Sequence, residues 1–108
     1  MNAVSLEEFK KIELRVAKVI EAEEIPGADR LWRLTVDVGL EKKQIVAGIK
    51  LFYSKEAIVG RSIIIVNNLS PATIRGTESR GMLLAAKDGV TLSVLTLDKE
   101  LPAGSVVS

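Results

Sequence analysis

The sequence predicts an all-β fold with a few short helices. Three observations carry that prediction. Apolar residues recur at every second position in several short runs, the period of a half-buried strand. Pro-Gly, Ser-Pro, Asp-Gly and single glycines separate those runs as turn signals. The chain has 108 residues, 47% of them hydrophobic, enough to bury a core but room for one domain only. Residues 1–108 are therefore read as a single domain.

The elements follow in order. Ser5-Leu6-Glu7-Glu8 is a capping box, so a short helix starts there, with Phe9 and Ile12 as candidates for its buried side. From Leu14 to Ile25 the pattern turns to strand. Val19 and Ile20 are both apolar, which breaks the alternation and predicts a bulge or bend. Pro26-Gly27 is a turn. In the next strand Trp32, Leu34, Val36 and Val38 share the apolar face, and Gly39 ends it. Lys43 to Ile49 is a third strand, with Gly48 marking a kink or a close backbone approach. Ser54 caps a short helix stopped by Gly60.

Arg61 to Asn67 is apolar on both faces and predicts a central, buried strand. Leu69 to Arg80 reads as a polar loop. Met82 to Lys87 and Val90 to Leu97 are strand-like, and Asp88-Gly89 between them predicts a hairpin with both turn residues at positive φ. Pro102 and Gly104 place the tail in a surface turn. Three strands, a short helix and two more strands match the five-stranded OB-fold barrel. Added to it are an N-terminal helix, the helix between strands 3 and 4, and an extra C-terminal hairpin arm.

Composition removes much chemistry. With no cysteine and no histidine, the chain has no thiol nucleophile, Cys/His zinc site or histidine base. The carboxylates Asp29, Asp37, Glu41, Glu78 and Asp88 are scattered, with no spacing that pairs two of them. No catalytic residue, metal site or cofactor is expected. No apolar run approaches the ~20 residues of a membrane-spanning helix, and the N-terminus lacks a signal-peptide pattern. A soluble, cytoplasmic protein that engages no membrane is the expectation.

Fifteen basic residues against fourteen acidic ones leave a net charge of +1. Any anionic partner must therefore meet a local patch. The segment from Leu69 to Lys87 carries a net +2 and mixes Arg75, Gly76, Thr77, Ser79, Arg80 and Gly81. Arginine forks suit phosphates, and serine and threonine hydroxyls suit RNA 2′-hydroxyls; on composition alone the segment reads as an ordinary basic surface loop. Glu21-Ala22-Glu23-Glu24 lies at a strand end and repels phosphates; it reads as a solvated edge that discourages pairing. The aromatics are Phe9, Trp32, Phe52 and Tyr53, too few for a base-stacking platform. RNA, if bound, is expected to be a structured one, met by shape and backbone contacts.

Several stretches together resemble a known family. These are Leu14-Arg15-Val16, Pro26-Gly27-Ala28-Asp29-Arg30-Leu31, Gln44-Ile45-Val46-Ala47-Gly48-Ile49, Val59-Gly60-Arg61, Asn67-Asn68-Leu69, and Arg75 through Ala85. In order and spacing they are similar to the tRNA-binding OB domain of methionyl-tRNA synthetases and of endothelial-monocyte-activating-polypeptide-like tRNA-binding proteins. The resemblance runs from Phe9 to about Leu97. It implies binding to the outer corner of tRNA with little sequence preference, a homodimer, and partnership with a methionyl-tRNA synthetase catalytic domain in the same chain or a separate one. In that arrangement the module raises tRNA affinity.

By position the resemblance makes Arg30, Ser79 and Met82 the RNA-facing candidates, with Asn68, Arg75 and Arg80 as neighbours. Arg30 stands where the family often has lysine, and Arg80 where it often has glutamine. Read as structure alone, Met82 is a core residue and Arg75 a brace for its loop. The alternative function is a dimeric, chaperone-like protein-binding module, since a sister family shares the barrel. That family lacks the Ser-x-Gly-Met pattern found here at Ser79-Arg80-Gly81-Met82.

Overall fold

The computed structural model describes residues 2–108. Strands β1 (Leu14–Ile25), β2 (Ala28–Asp37) and β3 (Lys42–Ala47) form an antiparallel meander. Helix α2 (Lys55–Ile58) leads to β4 (Ser62–Val66), which returns to pair with the first half of β1. Strand β7 (Met82–Leu83) pairs with β4. The order is β3-β2-β1-β4-β7, the OB-fold arrangement expected from the sequence.

The register of β1 and β2 shifts between Val19 and Glu21. The two consecutive apolar residues do mark a bulge. It lets one long strand serve two partners, β4 along Leu14–Lys18 and β2 from Lys18 onward. Leu34, Val36, Ile45, Ile58, Ile63 and Ile65 fill the interior. Trp32 belongs to that core, and its indole N–H donates to the Tyr53 carbonyl at 2.8 Å, which meets the need of a buried indole donor. As expected, β4 is central and largely buried.

Four expectations need correction. The helix α1 (Leu6–Phe9) has its capping box, with the Glu8 N–H donating to Ser5 Oγ at 3.1 Å. It buries nothing, however: Phe9 is 40% and Ile12 46% exposed. Periodicity names the apolar face but cannot supply an element to cover it. Second, the polar loop after Leu69 contains a hairpin, β5 (Ala72–Ile74) and β6 (Thr77–Ser79). Arg75 (φ 51°) and Gly76 (φ 79°) form its turn. β5 is exposed throughout, so no alternation betrays the hairpin.

Third, the arm formed by β8 (Ala85–Asp88) and β9 (Thr91–Val94) turns on Gly89-Val90, because Asp88 pairs with Thr91. Only Gly89 has positive φ there (57°), as in a type II′ turn with glycine first. Fourth, the tail goes beyond a turn. β10 (Val106–Val107) pairs with Leu14 and Arg15 of β1, and the Gly104 N–H donates to the Val16 carbonyl at 2.7 Å.

Candidate functional site

The free edge of β3 meets the segment leading into β7. The Arg80 N–H donates to the Gln44 carbonyl at 2.9 Å. Two residues along, the Val46 N–H donates to Ser79 Oγ at 2.9 Å. The Ser79 hydroxyl in turn donates to the Gly81 carbonyl at 3.1 Å. Ser79 is 4% exposed, so its side chain takes the place of a missing strand partner for β3. A buried backbone N–H left without an acceptor is costly.

Gly81 completes the crossing. Its φ is 152°, and a Cβ there would lie 3.1 Å from the Val66 carbonyl oxygen and 3.4 Å from Ile45. Only glycine passes between β3 and β4 at this point without strain. The residues on either side of Gly81 are thereby presented outward. Met82 is 45% exposed, opposite Val66 in register. The Arg80 side chain is about half exposed, and the one carboxylate paired with it among the described residues, Glu41, is 3.8 Å away. So loose an exposed pair leaves the cation available.

Arg75 sits at the tip of the β5–β6 hairpin, and its guanidinium donates to the Gly27 carbonyl. Gln44 Nε2 holds the same hairpin through the Glu78 carbonyl at 2.9 Å. The hairpin is thus laid across β3 with its tip against the Pro26-Gly27 turn. Arg30 follows that turn near the start of β2; its side chain is exposed, and its carbonyl accepts the Lys50 N–H at 3.2 Å. The hairpin and the segment after it thus bring Arg75, Arg80 and Met82 to the β3 side of the barrel, while Arg30 is joined to them only through the turn that the hairpin tip touches. What escapes a sequence reading is the bonding role of Gly27, Glu41, Gln44 and Val46 in this framework. Their parts depend on strand register.

Asn68 lies apart from that flank in its bonding. Its side-chain oxygen accepts the Glu13 N–H at 2.8 Å, and its amide donates to the Lys11 carbonyl at 2.7 Å. It ties the segment after α1 to the end of β4. Beside it, Lys43 is 8% exposed and donates to the Asn67 carbonyl at 2.7 Å. The Asn67 amide hydrogen bond, and after it the Arg15 guanidinium, hold the Glu13 carboxyl below the usual glutamate range. Lys50, 2.8 Å from Glu24, lowers that carboxyl likewise.

Among the described residues no group of three or more acidic side chains is placed to hold a metal ion. Among the described residues no helix is long and apolar enough to cross a membrane.

Comparison with known proteins agrees with this architecture. A family model described as "Putative tRNA binding domain" matches residues 14–106. The methionine–tRNA ligase of Thermotoga maritima is 52% identical over 107 residues, 99% of this chain and 17% of that protein. That of Pyrococcus furiosus is 47% identical over 107 residues, 99% of this chain and 15% of the ligase. The chain thus spans less than a fifth of the length of these curated relatives.

Among solved structures, a MetRS-related protein from Pyrococcus horikoshii superposes with a TM-score of 0.94 at 34% identity, covering 100% of both chains. The chaperone CsaA of Bacillus anthracis superposes with a TM-score of 0.90 at 31% identity, covering 99% of this chain and 100% of that one.

Proposed function

The chain belongs to the tRNA-binding domain family, and from that premise we propose that it grips the outer corner of folded tRNA with little sequence preference. One observation carries the reading. The segment Ser79-Arg80-Gly81-Met82 closes the barrel through Ser79 and Gly81 and turns Arg80 and Met82 outward, and the exposed Arg30 follows the turn that the adjoining hairpin touches. Arg30 and Arg80 supply phosphate contacts, and Met82 supplies an adaptable apolar contact. Arg75, Ser79 and Asn68 shape the surface by holding the hairpin, the closing segment and the N-terminal segment in place.

The module serves a methionyl-tRNA synthetase, within one chain or as a separate subunit. It adds tRNA affinity while the catalytic domain charges the acceptor end. A modest binder gains most when tethered or doubled, because linkage raises its effective concentration. Two copies form a homodimer. Phe9, Ile12, Leu14 and Val106 line one groove of about 410 Å3 between the N-terminal segment and β10, an uncovered apolar surface that a second copy would bury. Deleting the module from a synthetase that carries it should raise KM for tRNA more than it lowers kcat.

The direct test is a titration with intact folded tRNA at two salt concentrations, against single-stranded RNA of equal length. Preference for the folded RNA, lost in Arg30→Ala and Met82→Ala, supports the reading. Equal binding of both RNAs that vanishes at physiological salt sinks it. The similarity to a chaperone over nearly the whole chain supports a second reading, a protein-binding module. Capture of unfolded polypeptide that tRNA fails to displace would move that reading to first place.

A further inference from the structure

The acidic run Glu21–Glu24 has no part in the surface described above. It occupies the half of β1 that β4 leaves uncovered. β4 pairs with β1 only as far as Lys18. Beyond that, the Val19 N–H donates to the Arg61 carbonyl at 2.9 Å, and the Val19 carbonyl accepts the Gly60 N–H at 2.8 Å. From Ile20 to Ile25 the strand partners lie in β2 alone, among the described residues. The other edge of β1 is open there for six residues, with backbone donors and acceptors to offer.

Across that edge stands α2, and between them runs a groove of about 550 Å3. Ile20, Ala22 and Val59 give it an apolar floor, and Glu21, Glu23 and Glu56 an acidic rim. A second hollow of about 530 Å3 shares Glu23, Lys55 and Glu56 and extends the groove to Glu24. Arg33 and Lys50 reach Glu23 and Glu24 at 2.9 and 2.8 Å. Glu21 and Glu56 have no ion-pair partner among the described residues. Lys55 is the one cation lining either hollow.

We propose that this groove is a docking site for a basic, extended polypeptide segment, which adds a strand to the open edge of β1. The free backbone groups supply the ladder, and alternate side chains of the guest reach the apolar floor. The carboxylates choose the guest: acidic side chains on an edge discourage neutral or acidic strands, and by complementarity they favour a lysine- or arginine-rich one. The site owes nothing to the tRNA-binding flank, whose outward cations repel such a guest.

The test uses the full chain and a fluorescein-labelled, capped hexapeptide that alternates lysine with valine. Fluorescence anisotropy should show saturable binding. An analogue with glutamate for lysine should not bind. Methylating the backbone nitrogens of either the lysines or the valines should weaken binding about tenfold in at least one of the two analogues, since the ladder uses one side of the guest. Glu21→Lys and Glu56→Lys should each weaken it by a similar factor, with unchanged far-ultraviolet circular dichroism as the check that the variants fold. Equal affinity of the parent and both methylated peptides would reduce the contact to charge attraction and overturn strand addition. Absence of saturable binding, or unaltered affinity in both folded variants, would overturn the site itself.

Discussion

Ser79 and Gly81 show how much a single side chain, or its absence, decides here. Ser79 Oγ is the acceptor for a β3 backbone N–H that no strand reaches. Ser79→Ala removes that acceptor inside the protein, so urea unfolding should show a loss of about 1–3 kcal/mol. Arg80→Ala, next in sequence but exposed, should change stability by no more than about 0.5 kcal/mol. Gly81→Ala forces a side chain into a positive-φ position against the Val66 carbonyl and should cost about 1–3 kcal/mol. If Ser79→Ala instead leaves the urea midpoint unchanged, the serine does not close the barrel.

At the scale of elements, the attachments of the N-terminal segment and of the β5–β6 hairpin are polar. α1 buries no residue, and the chain after it is held through Asn68 and the Asn67–Glu13 bonds. Asn68→Ala should therefore speed hydrogen exchange at the Glu13 amide and around α1, with little change for the core strands. A fully local effect argues for a clasp; global destabilisation argues against one.

Glu13 adds a pH dependence to the same clasp. Its folded-state pKa is lowered by Asn67 and Arg15. Its contribution is therefore present above the unfolded glutamate value and is lost as pH falls through the folded one. Stability measured across the acid range should decline over that window, and Glu13→Gln should flatten the decline. An identical acid limb in the variant would contradict the assignment.

For the whole molecule, a net charge of +1 means that the proposed phosphate contacts rest on local cations and not on bulk charge. The logarithm of tRNA affinity should fall with the logarithm of salt by about 0.7–0.9 per phosphate contacted. Arg30→Ala should shallow that slope by about one contact while leaving the unfolding midpoint in place. A parallel slope in the variant would remove Arg30 from the interface. On the edge of β1 the local balance differs, since Glu21 and Glu56 have no ion-pair partner there among the described residues.

Although the run from Met82 to Lys87, which reads as one strand, divides between β7 and β8, local patterning was enough to find the first four strands of the barrel, the bulge after Val19, both caps and the family. Each of these is local or nearly so. Alternation places Trp32, Leu34 and Val36 on one face, two adjacent apolar residues break a pleat, and a serine three residues before a helical N–H caps it. The resemblance also drew attention to Arg30, Ser79 and Met82. How they differ follows from the packing of distant segments. Ser79 and Met82 stand three residues apart, yet one is enclosed against β3 and the other is exposed. Arg75 reaches a turn far away in sequence. The β5–β6 hairpin, the pairing of β10 and the exposure of Phe9 were likewise hidden, for a common physical reason. Periodicity records which face of an element is apolar. Which surface covers that face, and which backbone group accepts a given hydrogen bond, is set by strand register between segments distant in the chain.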